Sequence, residues 1–155
     1  SSGPPVKRPL LEVQNLVDPK LFAFILNQEI HKASRLQYPV SILCLTPDRT
    51  PRAAPSSFLR RLASQIVHHV RATDLVTNLD VHQIALLLVD AETRNLSGIL
   101  DRLKEDLGFR TSLTVSGGGG CFPQTASGGG ELRQQAVELM NRAQAEGGNR
   151  LYLPT

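Results

Sequence analysis

The sequence predicts one α/β domain of the α+β kind: a ferredoxin-like arrangement in which a central, mostly antiparallel five-stranded sheet carries helices packed on it. Two observations predict it. Segments with apolar residues at helical spacing alternate with short apolar runs, in the order α-β-α-β-β-α-β-α-β. From the first strand to the last but one, that order is the split βαβ pattern, β-α-β-β-α-β. The length of 155 residues, with 41% apolar and 20% charged content, suits a single domain able to bury a core without staples.

Residues 1–17, Pro-rich and then weakly apolar, are read as a linker or tag remnant, and 18–155 as the domain. Asp18-Pro19 starts the first helix, because Asp suits the N-cap and Pro the first helical position. Its apolar face is Phe22, Ile25, Leu26, Ile30, Ala33 and Leu36. Val40–Leu45, apolar throughout and flanked by prolines, is a buried central strand. The stretch 47–55 carries three prolines and is a loop. Ser56 or Ser57 then caps a second helix with Leu59, Leu62, Ala63, Ile66, Val67 and Val70 inward.

Asp74–Leu79 and Ile84–Val89 read as strands, and the four residues between them imply a hairpin. A third helix spans about 92–107, with Leu96, Ile99, Leu100, Leu103 and Leu107 inward and Gly108 as its cap. Thr111–Val115 alternates as a strand and runs into Gly117–Gly120, which is read as a bend. After Gly128–Gly130 a fourth helix covers about 131–146, with Met140 in the core, and Leu151–Leu153 form an edge strand.

Composition excludes several functions. The basic residues behind the net charge of +3 are scattered, without a stripe of interleaved aromatics, so no nucleic-acid partner is expected. No segment approaches the length of a membrane span, and the start has no apolar signal region. Cys44 and Cys121 fall in apolar strand-like runs without a CxxC spacing, which predicts two buried thiols in a reducing cytoplasm. His68 and His69 are helix neighbours pointing apart, and no metal or cofactor site is expected. Gly117–Gly120 lack the following Lys-Ser/Thr of a phosphate cradle.

Four pieces in order resemble the GGDEF (diguanylate cyclase) domains, over about residues 17–153. Arg71-Ala72-Thr73-Asp74 is similar to the family's R-x-x-D. Five residues later Asp80-Val81-His82-Gln83-Ile84 stands at the position of the GGDEF signature, before an apolar strand. Ser112–Gly118 resembles the V-x-V-S-x-G strand, and Ala143–Arg150 the closing A-K-x-x-G-x-N-R. The resemblance implies a cyclase-like palm and, in active members, attack of a 3′-hydroxyl on an α-phosphate assisted by Mg²⁺. Mg²⁺ is a hard cation that wants carboxylate oxygens.

Here those residues are replaced. Thr46 stands where the family's first-strand carboxylate belongs, although Asp48 survives two positions on. His82 and Gln83 replace carboxylates of the turn, and Asp80 and Val81 replace its glycines, which let a backbone approach a nucleotide. The stretch that reads guanine is shortened to RTPRAAPSS, with Ser56 at its Asp position. Gln144 and Gly148 replace basic phosphate contacts. The reading is therefore a catalytically inactive GGDEF-like regulatory domain, not an enzyme and without catalytic residues. It acts in bacterial signalling through other protein domains or a second copy of itself. The alternative is a cyclic di-GMP receptor using the retained Arg71 and Asp74. Arg offers a planar fork to phosphate or guanine, and Asp accepts guanine N–H groups. The second alternative is residual GTP or ATP binding without turnover.

Overall fold

The computed structural model describes residues 15–50, 55–107 and 113–155. The elements are α1 (Pro19–Leu36), β1 (Val40–Pro47), α2 (Pro55–Ile66) with a 3₁₀ turn at Val67–His69, β2 (Leu75–Asn78) and β3 (Ile84–Val89). They continue with α3 (Thr93–Asp106), β4 (Val115–Phe122), α4 (Gly129–Ala145) and β5 (Leu151–Tyr152). One five-stranded sheet has the order β2-β3-β1-β4-β5. All pairs are antiparallel except β4 with β5. This is the mostly antiparallel, ferredoxin-like sheet that the element order predicts.

Period-two alternation along the central strands divides the core in two. Leu43, Leu45, Ile84, Leu86 and Leu88 face α2 and α3, with Leu59, Leu62, Ile66, Leu96 and Leu100. Val40, Ile42, Cys44, Ala85 and Leu87 face α1 and α4, with Phe22, Leu26, Leu132, Ala136 and Met140. Apolar residues on both faces explain why β1 and β3 read as continuous apolar runs.

Local signals set the boundaries. The Asp18 carboxylate accepts from Leu21 N at 2.8 Å and caps α1. Glu92 and Asn95 form a reciprocal capping box on α3. β1 runs past Leu45 to Pro47, further than a proline-bounded strand suggests. Its pairing with β3 stops at Leu45↔Ile84, whereas its pairing with β4 continues to Pro47↔Val115. Because Asp48 N donates to Thr114 O, alternation turns position 47 toward the side where no strand remains, so the missing N–H of Pro47 costs nothing. Leu36, expected on the buried face of α1, is 60% exposed, because the helix ends there beyond the sheet, at left-handed Gln37. The cap expected at Gly108 and the strand start at Thr111 lie outside the described residues.

The glycine run is the main departure. Gly117–Gly120 form no bend; they lie inside β4, in unbroken register with β1 from Leu45↔Gly117 to Ile42↔Gly120. A β-carbon at Gly118 would lie 2.2 Å from both Ala136 O and Met140 N, so the α4 backbone rests directly on the strand. At Gly120 it would meet Gln135 Oε1 at 2.5 Å, and at Gly119 Leu96 Cδ1 at 2.6 Å. Residues 15–17, expected within the linker, lie on the outer edge of β2: Leu16 bridges Val76 in parallel, and Val17 N donates to Val76 O at 3.0 Å.

Both cysteines are buried and free. Burial pushes the Cys44 thiol up to about 12, against a smaller opposing pull from Arg133. Cys44 is therefore un-ionised at neutral pH, and iodoacetamide at pH 8 should label it only as fast as the domain unfolds; rapid labelling of the native protein would contradict this. Gly118→Ala drives a methyl into helix backbone and should destabilise by about 3 kcal/mol, read by urea unfolding. Gly98→Ala, on α3 with nothing within 4 Å of the added carbon, should instead stabilise by about 0.5–1 kcal/mol.

Candidate functional site

Two constellations carry the polar chemistry, at opposite ends of β2. The first is the end of β1 beside the β2–β3 turn. Leu79 N donates to Gln83 O at 2.8 Å and closes the turn. Asp80 Oδ1 accepts from His82 N at 2.7 Å, so its carboxylate serves the turn itself. Val81 is 44% exposed at the tip. Thr46, buried at the end of β1, donates its hydroxyl to His82 O at 2.8 Å.

Asp48 follows two residues on. Its Oδ1 accepts from Ser116 Oγ at 2.6 Å, and its Oδ2 from Thr114 Oγ1 at 2.5 Å and Asn149 N at 2.9 Å. Gly148, at φ +75, packs against this carboxylate, where a β-carbon would sit 2.9 Å from Asp48 Cγ. Gln144 Nε2 donates to Pro47 O at 3.2 Å. The end of β1 is thus tied to β4 and to the α4–β5 turn by neutral donors. The donor set does not fit Mg²⁺. Thr46 is a hydroxyl already donating to a carbonyl, His82 and Gln83 bring no anionic oxygen, and Asp48 already accepts from three protein donors. Among the described residues, no group of three or more His, Cys, Asp or Glu is placed to hold a metal ion.

The second constellation is the corner between the 3₁₀ turn and β2. Asp74 is 2% exposed. Its Oδ1 accepts from Val89 N at 3.0 Å, and its Oδ2 from Arg71 N at 3.0 Å, with Arg71 Nε at 3.4 Å. Asp74 N returns a bond to Arg71 O at 2.9 Å. The Arg71 guanidinium also donates to Val89 O, and 57% of its side chain stays exposed. The structure therefore brings Arg71 and Asp74 together as the sequence spacing suggests, but turns the carboxylate inward and leaves only the guanidinium facing solvent.

Asn15 completes the corner. Its Nδ2 donates to Asp74 O at 2.6 Å and Ala72 O at 3.0 Å, with Arg71 O at 3.5 Å. Nothing in the sequence marks this residue, because one bridge across 56 positions has no periodicity. Thr114 and Ser116 were legible in principle: they lie two apart at the start of β4, in the T-S-L-T-V alternation, where extended chain puts both on one face.

The architecture defined by this sheet, its two helix layers and this hairpin is that of the GGDEF domains: the chain has their fold. It is similar to the GGDEF domain of YfiN (TpbB) from Pseudomonas aeruginosa, with 20% identity and a TM-score of 0.80 over 90% of this chain and 97% of that one. It is similar to the active GGEEF domain of a diguanylate cyclase from Vibrio cholerae, with 10% identity and 0.75 over 88% and 96%. A third is the GGDEF domain of DgcB from Caulobacter crescentus in complex with c-di-GMP, with 13% identity and 0.70 over 90% and 89%. No protein-family model matches the chain, and no curated protein does. No helix among the described residues is long and apolar enough to cross a membrane.

Asp74→Ala would leave Val89 N and Arg71 N without acceptors in a buried corner, and should cost about 3 kcal/mol in chemical denaturation. Asp74→Asn, which keeps one acceptor oxygen, should cost less; equal costs would show that hydrogen bonding is not what the carboxylate supplies.

Proposed function

We propose that this is a catalytically inactive GGDEF-like domain that acts in bacterial signalling by binding another protein domain or a second copy of itself, in the cytoplasm. One observation carries the reading: at the end of β1 the Thr46 hydroxyl is spent on the His82 carbonyl, where metal-assisted phosphoryl chemistry requires an anionic oxygen. Loss of one electrostatic partner in such a site costs about 10²–10³ in rate. Here Thr46, His82, Gln83, Gln144 and Gly148 all depart from the charged or glycine pattern that the resemblance implies. Binding has a physical handle in the exposed apolar side chains of Leu21 and Phe24, one turn apart on α1, and of Val81 at the turn. Two free, buried thiols suit a reducing compartment.

A cyclic di-GMP reading of Arg71 and Asp74 is favoured by the exposed guanidinium. It requires Asp74 to exchange Val89 N and Arg71 N for guanine donors, or Arg71 to act alone. Titration calorimetry with cyclic di-GMP, and with GTP plus Mg²⁺, separates the readings. The interaction reading expects heat from neither; dinucleotide binding lost in Arg71→Ala would establish the receptor, and GTP binding a residual nucleotide site.

Incubation of the purified domain with GTP and Mg²⁺ or Mn²⁺ should yield no cyclic di-GMP by chromatography at any protein concentration. Product formation would overturn the inactive reading.

A further inference from the structure

The Arg71–Asp74 corner is closed from outside by a segment that belongs to no helix or named strand. Residues 15–17 touch β2 through one parallel bridge and two backbone bonds, Val17 N to Val76 O at 3.0 Å and Val76 N to Asn15 O at 2.8 Å. So short a pairing is easily opened. Its side chain adds what the backbone does not. The Asn15 amide carries only two N–H groups, yet it gathers three carbonyls of a single turn: Asp74 at 2.6 Å, Ala72 at 3.0 Å and Arg71 at 3.5 Å.

Asp74 is the hub between this outer contact and the interior. Its carbonyl is held by Asn15, and its carboxylate holds Val89 N at the end of β3 and Arg71 N. Moving the turn outward therefore strains both carboxylate bonds, and releasing the carboxylate loosens the carbonyls on which Asn15 closes. Val89 also receives the Arg71 guanidinium, on its carbonyl, so both main-chain groups of one residue depend on the corner. The next residue, Asp90, has a positive φ of 59 and donates to Pro39 O at 2.8 Å, at the junction of α1 and β1. A chain of direct contacts thus runs from the segment entering the domain to the β3 end.

We propose that residues 15–17 are a latch seated by the Asn15 amide, and that a pull on the entering chain is transmitted through Asp74 to Val89. The latch rests on the regulatory reading above, for which it names the point of entry, and it makes Asn15 a positioning residue. The coupling is reciprocal, because an equilibrium shared by two sites is biased equally from either.

Amide hydrogen exchange on the whole chain, followed residue by residue, tests it. Asn15→Ala should raise exchange at Val89 and Arg71, whose amides never touch Asn15, by about tenfold, with Ile42 in β1 unchanged. Conversely, Asp74→Asn should raise exchange at Val17 by a similar factor; if that variant does not fold, Arg71→Gln takes its place. A change below about twofold at Val89 in the first variant, or at Val17 in the second, overturns the latch and leaves Asn15 a local cap. The readout is independent of turnover. A domain that makes cyclic di-GMP yet shows reciprocal exchange keeps the latch and loses the inactive reading. An inactive domain without reciprocity does the reverse.

Discussion

The contact of α4 with β4 is the constraint on which the rest of the structure depends. A helix on a sheet ordinarily stands off by the height of two side-chain layers. Here Gly118 and Gly120 remove one layer, and the carbonyl of Ala136 and the amide of Met140 come down onto the strand. The closeness sets where the helix ends. Gln144 reaches the Pro47 carbonyl, and the turn after α4 lays Gly148 and Asn149 against Asp48. With side chains on β4, the α4–β5 turn would be lifted and Asp48 would lose a donor. The glycines thus do architectural work in place of the nucleotide cradle that their density invites one to imagine.

The same closeness explains the character of the β1 end. Three donors converge on Asp48: the hydroxyl of Ser116 on β4, that of Thr114 just before the strand, and the Asn149 backbone amide. The carboxylate is satisfied from within the protein. A catalytic metal site needs the opposite condition, oxygens held in place but left with lone pairs to spare. Thr46 makes the contrast plain, since its hydroxyl closes onto the turn rather than facing outward. The polar groups at this end bond to one another and to the backbone, so they hold the end of β1 in place.

At the other end of β2, a pair of residues at the spacing of a ligand motif has become a structural joint. Asp74 is inward, Arg71 half outward, and Asn15 locks the turn that carries them. Few bonds hold this corner, and each is shared between two elements. Residues 15–17 meet the sheet at the same place, on the outer edge of β2 beside this network.

The sequence by itself determined the element order, the apolar runs of β1 and β3, the cap at Asp18, and the hairpin between Asn78 and Ile84. Each is a local matter of side-chain spacing and backbone preference, readable within a window of a few turns. The chemistry missing from positions 46, 82 and 83 was legible for the same reason: a residue either carries an anionic oxygen or does not. Only the tertiary structure decided that Gly117–Gly120 are straight strand, since a glycine run reads alike as bend or as close approach until the partner helix is in place. It also decided that Asp74 faces inward, which depends on Val89 N arriving from a neighbouring strand. And it decided that Asn15 belongs to the domain, because three carbonyls converge on one amide only after the chain has turned back on itself, a long-range coincidence that no local pattern records.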